Sequence, residues 1–236
     1  ARSVTTRIIT YGEAETNDYY YAKWAAAGTG SVFNVYHHNR LLGEIALSVP
    51  GRHNALNATA AVALAMEMGL EFKAVSKSFK EFKGAKRRFE YVGQENNITF
   101  VDDYAHHPTE IKATIEAARS CYAQSRIVVL FQPHRYSRTR LLGKQLGEAL
   151  AAADLIVVTD VYSAGEKQVP GIDGSLVEKA AREAGARSKY CASWHEAAAY
   201  LLNELRNNDL VITMGAGDIW KMGPQLISQL RSNGPK

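Results

Sequence analysis

The sequence is poor in the features that mark secreted, membrane and metal-binding proteins. Its 236 residues include only two cysteines, Cys121 and Cys191, which by themselves cannot build a disulfide framework or a four-ligand zinc site. No apolar run approaches the ~20 residues of a membrane span, and the N-terminal residues lack the order of a signal peptide. With 46% hydrophobic residues, the composition is too apolar for disorder. These absences favour a soluble, globular protein of a reducing compartment.

Two further absences bear on function. The sequence contains no G-x-x-x-x-G-K-[ST] segment, so it has no loop that could cradle a triphosphate in the Walker manner. It also does not begin with Met, and the run Val4–Thr10 at its start predicts a strand. We therefore expect it to be the later part of a longer protein. The net charge of +4 suits small anionic substrates, and the scatter of the basic residues argues against nucleic-acid binding.

The pattern of predicted elements changes near residue 87. The first part predicts an antiparallel meander of strands over Tyr19–Trp24, Val32–Tyr36 and Leu41–Val49. A helix over Asn54–Met68 follows, and we expect it to be buried on most of its surface because it is rich in Ala, Leu and Met almost all round. A second helix is predicted over Ala74–Phe82.

The second part alternates strands and helices. Strands are predicted at Ile98–Asp103, Ile127–Phe131, Leu155–Val161 and Leu210–Met214, and helices at Pro108–Tyr122, Thr139–Ala152, Ser175–Ala184 and Trp194–Leu205, with a last helix opened by Gly215-Ala216-Gly217. This alternation predicts an α/β fold with a parallel, doubly wound sheet after the antiparallel strands of the first part.

Candidate binding residues cluster where two predicted strands end, which is where ligands bind in open parallel sheets. The run Asp102–His107 follows one strand, and the run Gln132–Arg138 follows the next. Arg138 and Arg140 fall near the start of a helix, where the macrodipole disfavours cations by ~0.3–1 kcal/mol each and a bound anion would relieve this cost. Because an arginine fork matches a carboxylate or a phosphate, the pattern favours anion binding over a solvated loop.

Histidines and asparagines allow more than one interpretation. A metal site built from His106, His107 and His134 is less favoured than hydrogen bonding beside an anion, because adjacent histidines in a turn point in different directions. Asn54 and Asn57 share a helix face. Asn54 is either a helix cap or a ligand contact, whereas Asn57, which we expect to be buried, needs a partner such as an adenine edge.

Two other motifs allow a purely structural interpretation as well as a functional one. The basic cluster Lys86-Arg87-Arg88 is either a solvated linker or the source of a cation that reaches a phosphate. Gly215-Ala216-Gly217 is a weak match to a dinucleotide fingerprint, since it follows the last strand and no acidic residue follows at the proper distance. A nicotinamide-dependent dehydrogenase is therefore the less favoured enzyme class.

Five segments, taken in order, resemble the Mur ligases: GRHNALNATAAVALA, KRRFE, VDDYAHHPTEI, FQPHRYSRTR and MGAGDIW. The resemblance runs from Ile8 to Leu230. It is strongest to the branch of the family that joins L-alanine to UDP-N-acetylmuramate through an acyl phosphate. It implies that residues 1–86 are the end of a central ATP-binding domain and that residues 87–236 are a Rossmann-like C-terminal domain. A murein-peptide recycling ligase and a non-catalytic nucleotide- or anion-binding module are the alternatives.

The resemblance also implies residue roles. Nucleotide contacts are expected at His53, Asn54, Asn57, Arg88 and Asp103, L-alanine contacts at Tyr104, His106, His134, Arg135 and Arg138, and catalytic roles at Arg88 and His106. ATP and magnesium are the implied cofactors, with the magnesium ligands in a missing upstream region and none in this chain. The implied process is peptidoglycan synthesis in the cytoplasm, which supports cell shape and division. The implied partners are small molecules, without nucleic acid or a membrane span, and we expect the chain alone to lack ligase activity.

Overall fold

A computed structural model describes residues 6–233 of the chain. The described residues form two compact units, of which the first ends at Gly84 and the second begins at Ala85. No helix within the described range is long and apolar enough to cross a membrane.

The first unit is a four-stranded sheet followed by two helices. Its elements are β1 (Tyr11–Gly12), β2 (Tyr19–Ala27), β3 (Gly30–His37), β4 (Arg40–Leu47), α1 (Arg52–Glu67) and α2 (Phe72–Glu81). The strands lie in the order β1-β2-β3-β4, and the β2-β3-β4 meander is antiparallel as predicted, while β1 pairs with β2 in parallel. Side chains such as Phe33, Val35 and Ile45 meet Ala55 and Val62 of α1 in the core of this unit.

Two predictions for the first unit are wrong. Residues 4 and 5 of the expected Val4–Thr10 strand lie outside the described range, and residues 6–10 are irregular. The backbone N–H and the Oγ1 hydroxyl of Thr10 both donate to Asp18 Oδ2, at 2.7 and 2.9 Å, so a side chain takes the donor that a strand would pair. Helix α1 buries only one face: its Leu64 is 64% exposed, and Met68, which directly follows the helix, is 70% exposed.

The second unit is a six-stranded sheet with helices on both faces. Its elements are β5 (Glu90–Glu95), β6 (Ile98–Asp103), α3 (Pro108–Cys121), β7 (Arg126–Phe131), α4 (Tyr136–Leu150), β8 (Leu155–Val158), α5 (Ser175–Glu183), β9 (Ser188–Tyr190), α6 (Trp194–Glu204), β10 (Asp209–Met214), a 3₁₀ turn (Ile219–Lys221) and α7 (Met222–Asn233). The strand order is β5-β6-β10-β7-β8-β9, with all neighbours parallel except β5 and β6. The doubly wound α/β fold is therefore confirmed.

The two faces of this sheet carry separate apolar cores, because side chains alternate along each strand. Ile127, Val129 and Phe131 of β7 pack on one face, and Val128 and Leu130 pack on the other. The strand is fully buried, as its unbroken apolar sequence predicts. The sequence pattern does not predict β5 and β9, which lie at the two edges of the sheet. Both are partly polar and exposed, so they lack the apolar run by which the central strands are recognised.

Strand order brings distant parts of the chain to one edge of the sheet. β10 lies between β6 and β7, and its last residue, Met214, is in register with Asp103 on one side and Phe131 on the other. The segments that follow these three strands therefore start side by side. The loop after β10 precedes the 3₁₀ turn instead of opening the last helix directly, which corrects the prediction for Gly215-Ala216-Gly217.

Candidate functional site

The structure brings together most of the polar residues that follow β6 and β7. A chain of ring contacts links them: Tyr104 meets His106 edge-on with ring centroids 5.2 Å apart, and His106 lies 6.1 Å from His134. The Arg88 guanidinium lies 5.8 Å from the Tyr104 ring centroid. The Arg138 Nη1 atom lies 3.3 Å from His134 Nδ1. Arg88, Tyr104, His106, His134 and Arg138 thus form one connected cluster at the carboxyl edge of the sheet.

His106 is held by its own turn and by Glu110. Its Nδ1 atom lies 2.9 Å from the Tyr104 carbonyl oxygen and 3.3 Å from Glu110 Oε2. The same Glu110 oxygen accepts the His106 backbone N–H at 3.0 Å, and Glu110 Oε1 lies 3.6 Å from the Arg88 guanidinium. Burial alone would raise the pKa of Glu110, but the hydrogen bond from the His106 backbone and the electrostatic effects of the His106 ring and the Arg88 guanidinium outweigh it and lower the pKa. Glu110 is thus an ionised group that links Arg88 to His106.

Glu110 is not among the predicted site residues, although the local sequence carries a signal for it. His107 caps α3, because its Nδ1 accepts the Thr109 backbone N–H at 3.4 Å, and Glu110 completes a capping box. The order of a cap, Pro108 at the first helical position and an acid two residues later is a recognised helix-start pattern. His107 is exposed and serves as the cap of α3.

His134 is a neutral hydrogen-bond acceptor in this arrangement. Arg138 can only donate, so His134 Nδ1 accepts and its proton is assigned to Nε2. Burial, and then the charge of Arg138, lower the pKa of His134 below its usual value. Its ring stacks on Tyr162 with centroids 5.6 Å apart and an interplanar angle of 9°. Tyr162 follows the next strand of the sheet and was not among the predicted site residues.

An acidic side chain, that of Glu166, lies at the positively polarised N-terminus of α4. Glu166 accepts the Ser137 backbone N–H at 2.9 Å and the Ser137 hydroxyl at 2.6 Å, and its carboxylate lies 4.0 Å from Arg135. Hydrogen bonds from Ser137, and then the charge of Arg135, lower the pKa of Glu166. α4 begins at Tyr136, three residues before the predicted start, so Arg138 lies within its first turn. The Glu166 carboxylate therefore supplies part of the negative charge that stabilises the N-terminus of α4.

Asp103 is buried, and both of its oxygens accept backbone N–H groups. Oδ2 accepts from Phe89 at 2.9 Å and Oδ1 from Ala105 at 2.8 Å. Burial raises the pKa of Asp103 to about 6, against the effect of these hydrogen bonds and of Arg88. The two bonded residues directly follow Arg88 and Tyr104 in sequence. Asp103 therefore fixes the backbone on which those two side chains stand.

The predicted adenine-binding residues lie on α1 of the first unit. His53 and Asn54 are half-buried, whereas Asn57 is exposed, so the argument that Asn57 is a buried amide in need of a partner is wrong. The reason is that α1 is apolar on several faces while only one face packs in the core. The Asn54 side-chain amide donates to the Pro50 carbonyl at 2.6 Å, and the helix cap is Gly51, with φ 96°, instead of Asn54.

Two features complete the description of the site. Within residues 6–233, no three His, Cys, Asp or Glu side chains are grouped so that they could hold a metal ion.

A cavity of about 340 Å³ lies beyond the carboxyl ends of β7, β8 and β9. Its lining includes Tyr162, Gln132, Asp160 and Asp218, so it adjoins the His134 stack on the side of Tyr162.

Comparison with protein families agrees with this fold. Residues 87–217 match the family model described as "Mur ligase, glutamate ligase domain", and residues 1–65 match "Mur ligase middle domain". The chain belongs to the Mur ligase family.

Several curated relatives of the chain share one name. The chain is 53% identical over 229 residues to the UDP-N-acetylmuramate–L-alanine ligase of Syntrophomonas wolfei subsp. wolfei, covering 97% of this chain and 49% of the relative. It is 43% identical to the ligase of the same name from Desulforamulus reducens, covering 96% and 49%. The crystal structure of UDP-N-acetylmuramate–alanine ligase from Thermotoga maritima matches with a TM-score of 0.82 and 28% identity, covering 96% and 48%. The chain thus spans about half the length of the curated relatives that it matches.

Proposed function

We propose that this chain is the L-alanine-binding half of an ATP-dependent ligase that joins L-alanine to UDP-N-acetylmuramate. The cluster of Arg88, Tyr104, His106, His134 and Arg138 carries the proposal. The relatives named above, which are similar over nearly all of this chain, support the choice of substrate. Residues 1–86 would be the end of a central ATP-binding domain, with His53, Asn54 and Asn57 at the adenine, and residues 87–236 the C-terminal domain. The cytoplasm is the proposed location.

The proposed reaction needs positioning more than it needs unusual chemistry. ATP transfers a phosphoryl group to the muramoyl carboxylate, which gives an acyl phosphate and ADP. The neutral amine of L-alanine then attacks the acyl carbon, and the tetrahedral intermediate releases phosphate to leave the amide. Holding the amine against the acyl carbon turns this into an effectively unimolecular step.

The charged and the neutral residues of the cluster would have different roles in this reaction. The Arg138 and Arg135 guanidinium groups would grip the carboxylate of L-alanine, and Arg88 would approach the phosphate that transfers. Tyr104 and His134 would line the L-alanine site. Because His134 is neutral, it would not repel the ammonium group of L-alanine. His106, held by Glu110, is the proposed acceptor of the proton that leaves the amine. A ribose contact at Asp103 remains a prediction beside its backbone role.

A chimera tests the proposal. This chain replaces the matched half of the Syntrophomonas wolfei ligase, and product formation is measured with ATP, UDP-N-acetylmuramate and either L-alanine or a murein tripeptide. We expect product with L-alanine in the chimera and none with this chain alone. Preference for the tripeptide would reassign the chain to a murein-peptide ligase. A folded chimera that binds nucleotide but forms neither product would indicate a non-catalytic module.

A further inference from the structure

Arg87, the neighbour of Arg88, has a different environment. Its side chain is only 20% exposed, against 50% for Arg88. Its backbone has φ 60°, in the left-handed region, and its carbonyl accepts the Tyr104 N–H at 2.7 Å. This conformation turns the Arg87 side chain into the second unit, just before β5, and joins it to the residue that follows β6. A solvated linker residue would have neither contact.

The Arg87 guanidinium makes three hydrogen bonds in three directions. Nε donates to Asp102 Oδ2 at 2.9 Å, Nη1 to the Gly217 carbonyl at 3.0 Å and Nη2 to the Gly215 carbonyl at 2.6 Å. Asp102 is buried, and its other oxygen accepts the Thr213 hydroxyl at 2.7 Å. The planar fork of an arginine can satisfy all three acceptors at once, whereas a lysine ammonium on a flexible stem cannot match their geometry.

The loop that Arg87 holds is in close contact with the site on its other side. A Cβ atom added to Gly217 would meet Gln132 Oε1 and would lie 2.7 Å from Tyr162 Cγ, so the loop backbone lies directly against both of these side chains. Tyr162 stacks on His134, and His134 Nδ1 is bonded to Arg138. A continuous series of contacts therefore runs from Arg87 through the glycine loop and Tyr162 to His134.

We propose that Arg87 is a positioning residue for the L-alanine site: it holds the loop at Gly215 and Gly217, and the loop sets the position of Tyr162 and so of His134. The expected effect on the KM for L-alanine rests on the proposed ligase function, whereas the expected effect of Arg87 on the position of His134 does not. Loss of the guanidinium fork releases the two carbonyls, lets the loop move away from Tyr162 and loosens His134 and Arg138 together.

The chain offers a matched control for the loss of a buried arginine. Arg126 is 21% exposed, and its Nε and Nη2 atoms donate to the buried Asp209 at 2.9 and 2.6 Å, with a further bond from Nη2 to the Glu204 carbonyl. It therefore matches Arg87 in burial, in its acid partner and in its bond to a backbone carbonyl. It lies at the start of β7, at the opposite end of the sheet strands from the site. Arg126→Lys and Arg87→Lys should cost similar stability, and only Arg87→Lys should disturb the site.

The first measurement needs no enzymatic activity. Histidine ring signals of this chain are recorded by NMR for the original protein, Arg87→Lys and Arg126→Lys, all checked as folded by circular dichroism. We expect the His134 signals and its titration midpoint to change in Arg87→Lys and to stay unchanged in Arg126→Lys. Unchanged His134 signals in folded Arg87→Lys overturn the proposal, as does an equal change in both variants. If Arg87→Lys does not fold, Gly217→Ala, whose added methyl group meets both Gln132 and Tyr162, must move the same His134 signals.

The second measurement uses the chimera. Arg87→Lys is expected to raise the KM for L-alanine on the order of tenfold, the effect of about 1.4 kcal/mol of lost binding, with the KM for ATP within about twofold. Arg126→Lys is expected to leave both KM values unchanged. A fall in kcat alone, in proportion to the folded fraction, would show a merely structural role and refute the positioning role. An inactive parent chimera would refute the proposed function, while the His134 measurement would still decide the role of Arg87.

Discussion

Two glycines of α4 allow a sharp test of the packing that holds the basic cluster in place. Gly143 and Gly147 lie one turn apart on the face of α4 that meets α5. A Cβ atom at residue 147 would lie 2.6 Å from both the Val177 carbonyl oxygen and the Ala181 nitrogen of α5. At residue 143 the nearest atom is the Leu176 Cβ at 3.8 Å, an ordinary contact. The same substitution, glycine to alanine, should therefore have opposite effects at the two positions.

The magnitudes follow from two competing terms. Alanine stabilises a helix interior by about 0.5–1 kcal/mol relative to glycine, and Gly143→Ala should gain this amount. At Gly147 the obstacle is the backbone of α5, which cannot rotate away as a side chain can. Overpacking of this kind costs about 1–3 kcal/mol, which outweighs the gain in propensity. We expect Gly147→Ala to lower the free energy of unfolding by about 1–2 kcal/mol.

Urea unfolding of the chain measures both effects. The sequence has three tryptophans, of which Trp194 and Trp220 lie in the second unit, so a Trp24→Phe background makes fluorescence report that unit alone. The transition midpoint should rise in Gly143→Ala and fall in Gly147→Ala. If Gly147→Ala is as stable as the parent or more so, α4 and α5 do not approach as closely as described and the reasoning fails. Destabilisation by Gly143→Ala would equally contradict it.

Three further predictions concern the site. In the chimera, Arg138→Lys should raise the KM for L-alanine about 10- to 100-fold while the KM for ATP stays within about twofold, because lysine keeps the charge but loses the fork; a rise in the ATP value alone would assign the cluster to phosphate. The folded pKa of Asp103, about 6, lies above its unfolded value, so its contribution to stability is fully present below pH ~4 and is lost as the pH rises through 6. Asp103→Asn should therefore gain up to about 3 kcal/mol relative to the parent between pH 4 and 7.5 in urea titrations, and a pH-independent difference would contradict this. Glu166→Gln should speed hydrogen exchange at the Ser137 amide, whereas Glu148→Gln, at the other end of α4, should leave it unchanged; equal exchange in both would remove the capping role of Glu166.

Much of the fold can be predicted from local sequence because burial leaves a local pattern. Ile127–Phe131 is apolar at every position, and such a run is typical of a strand covered on both faces, which is how the structure places β7. The same reasoning predicts the helices between the central strands to within a few residues. It fails for β5 and β9, whose edge positions leave them partly polar, and for residues 6–10, where the side chain of Asp18 takes the place of a strand partner.

Only the tertiary structure decides which polar side chains become partners. Arg87 and Arg88 are adjacent and identical in type, yet one is bound to Asp102 and two glycine carbonyls and the other is half-exposed. Glu166 caps a helix that begins thirty residues earlier in the chain. Asn57 is exposed because a helix that is apolar on several faces does not reveal which face will pack. Hydrophobic periodicity is a property of neighbouring residues, so the sequence alone determined the central strands, the helices between them and the runs of polar residues that end those strands. Strand order and close packing join residues distant in sequence, so they alone decided how the ends of β6, β7 and β10 meet to form the site.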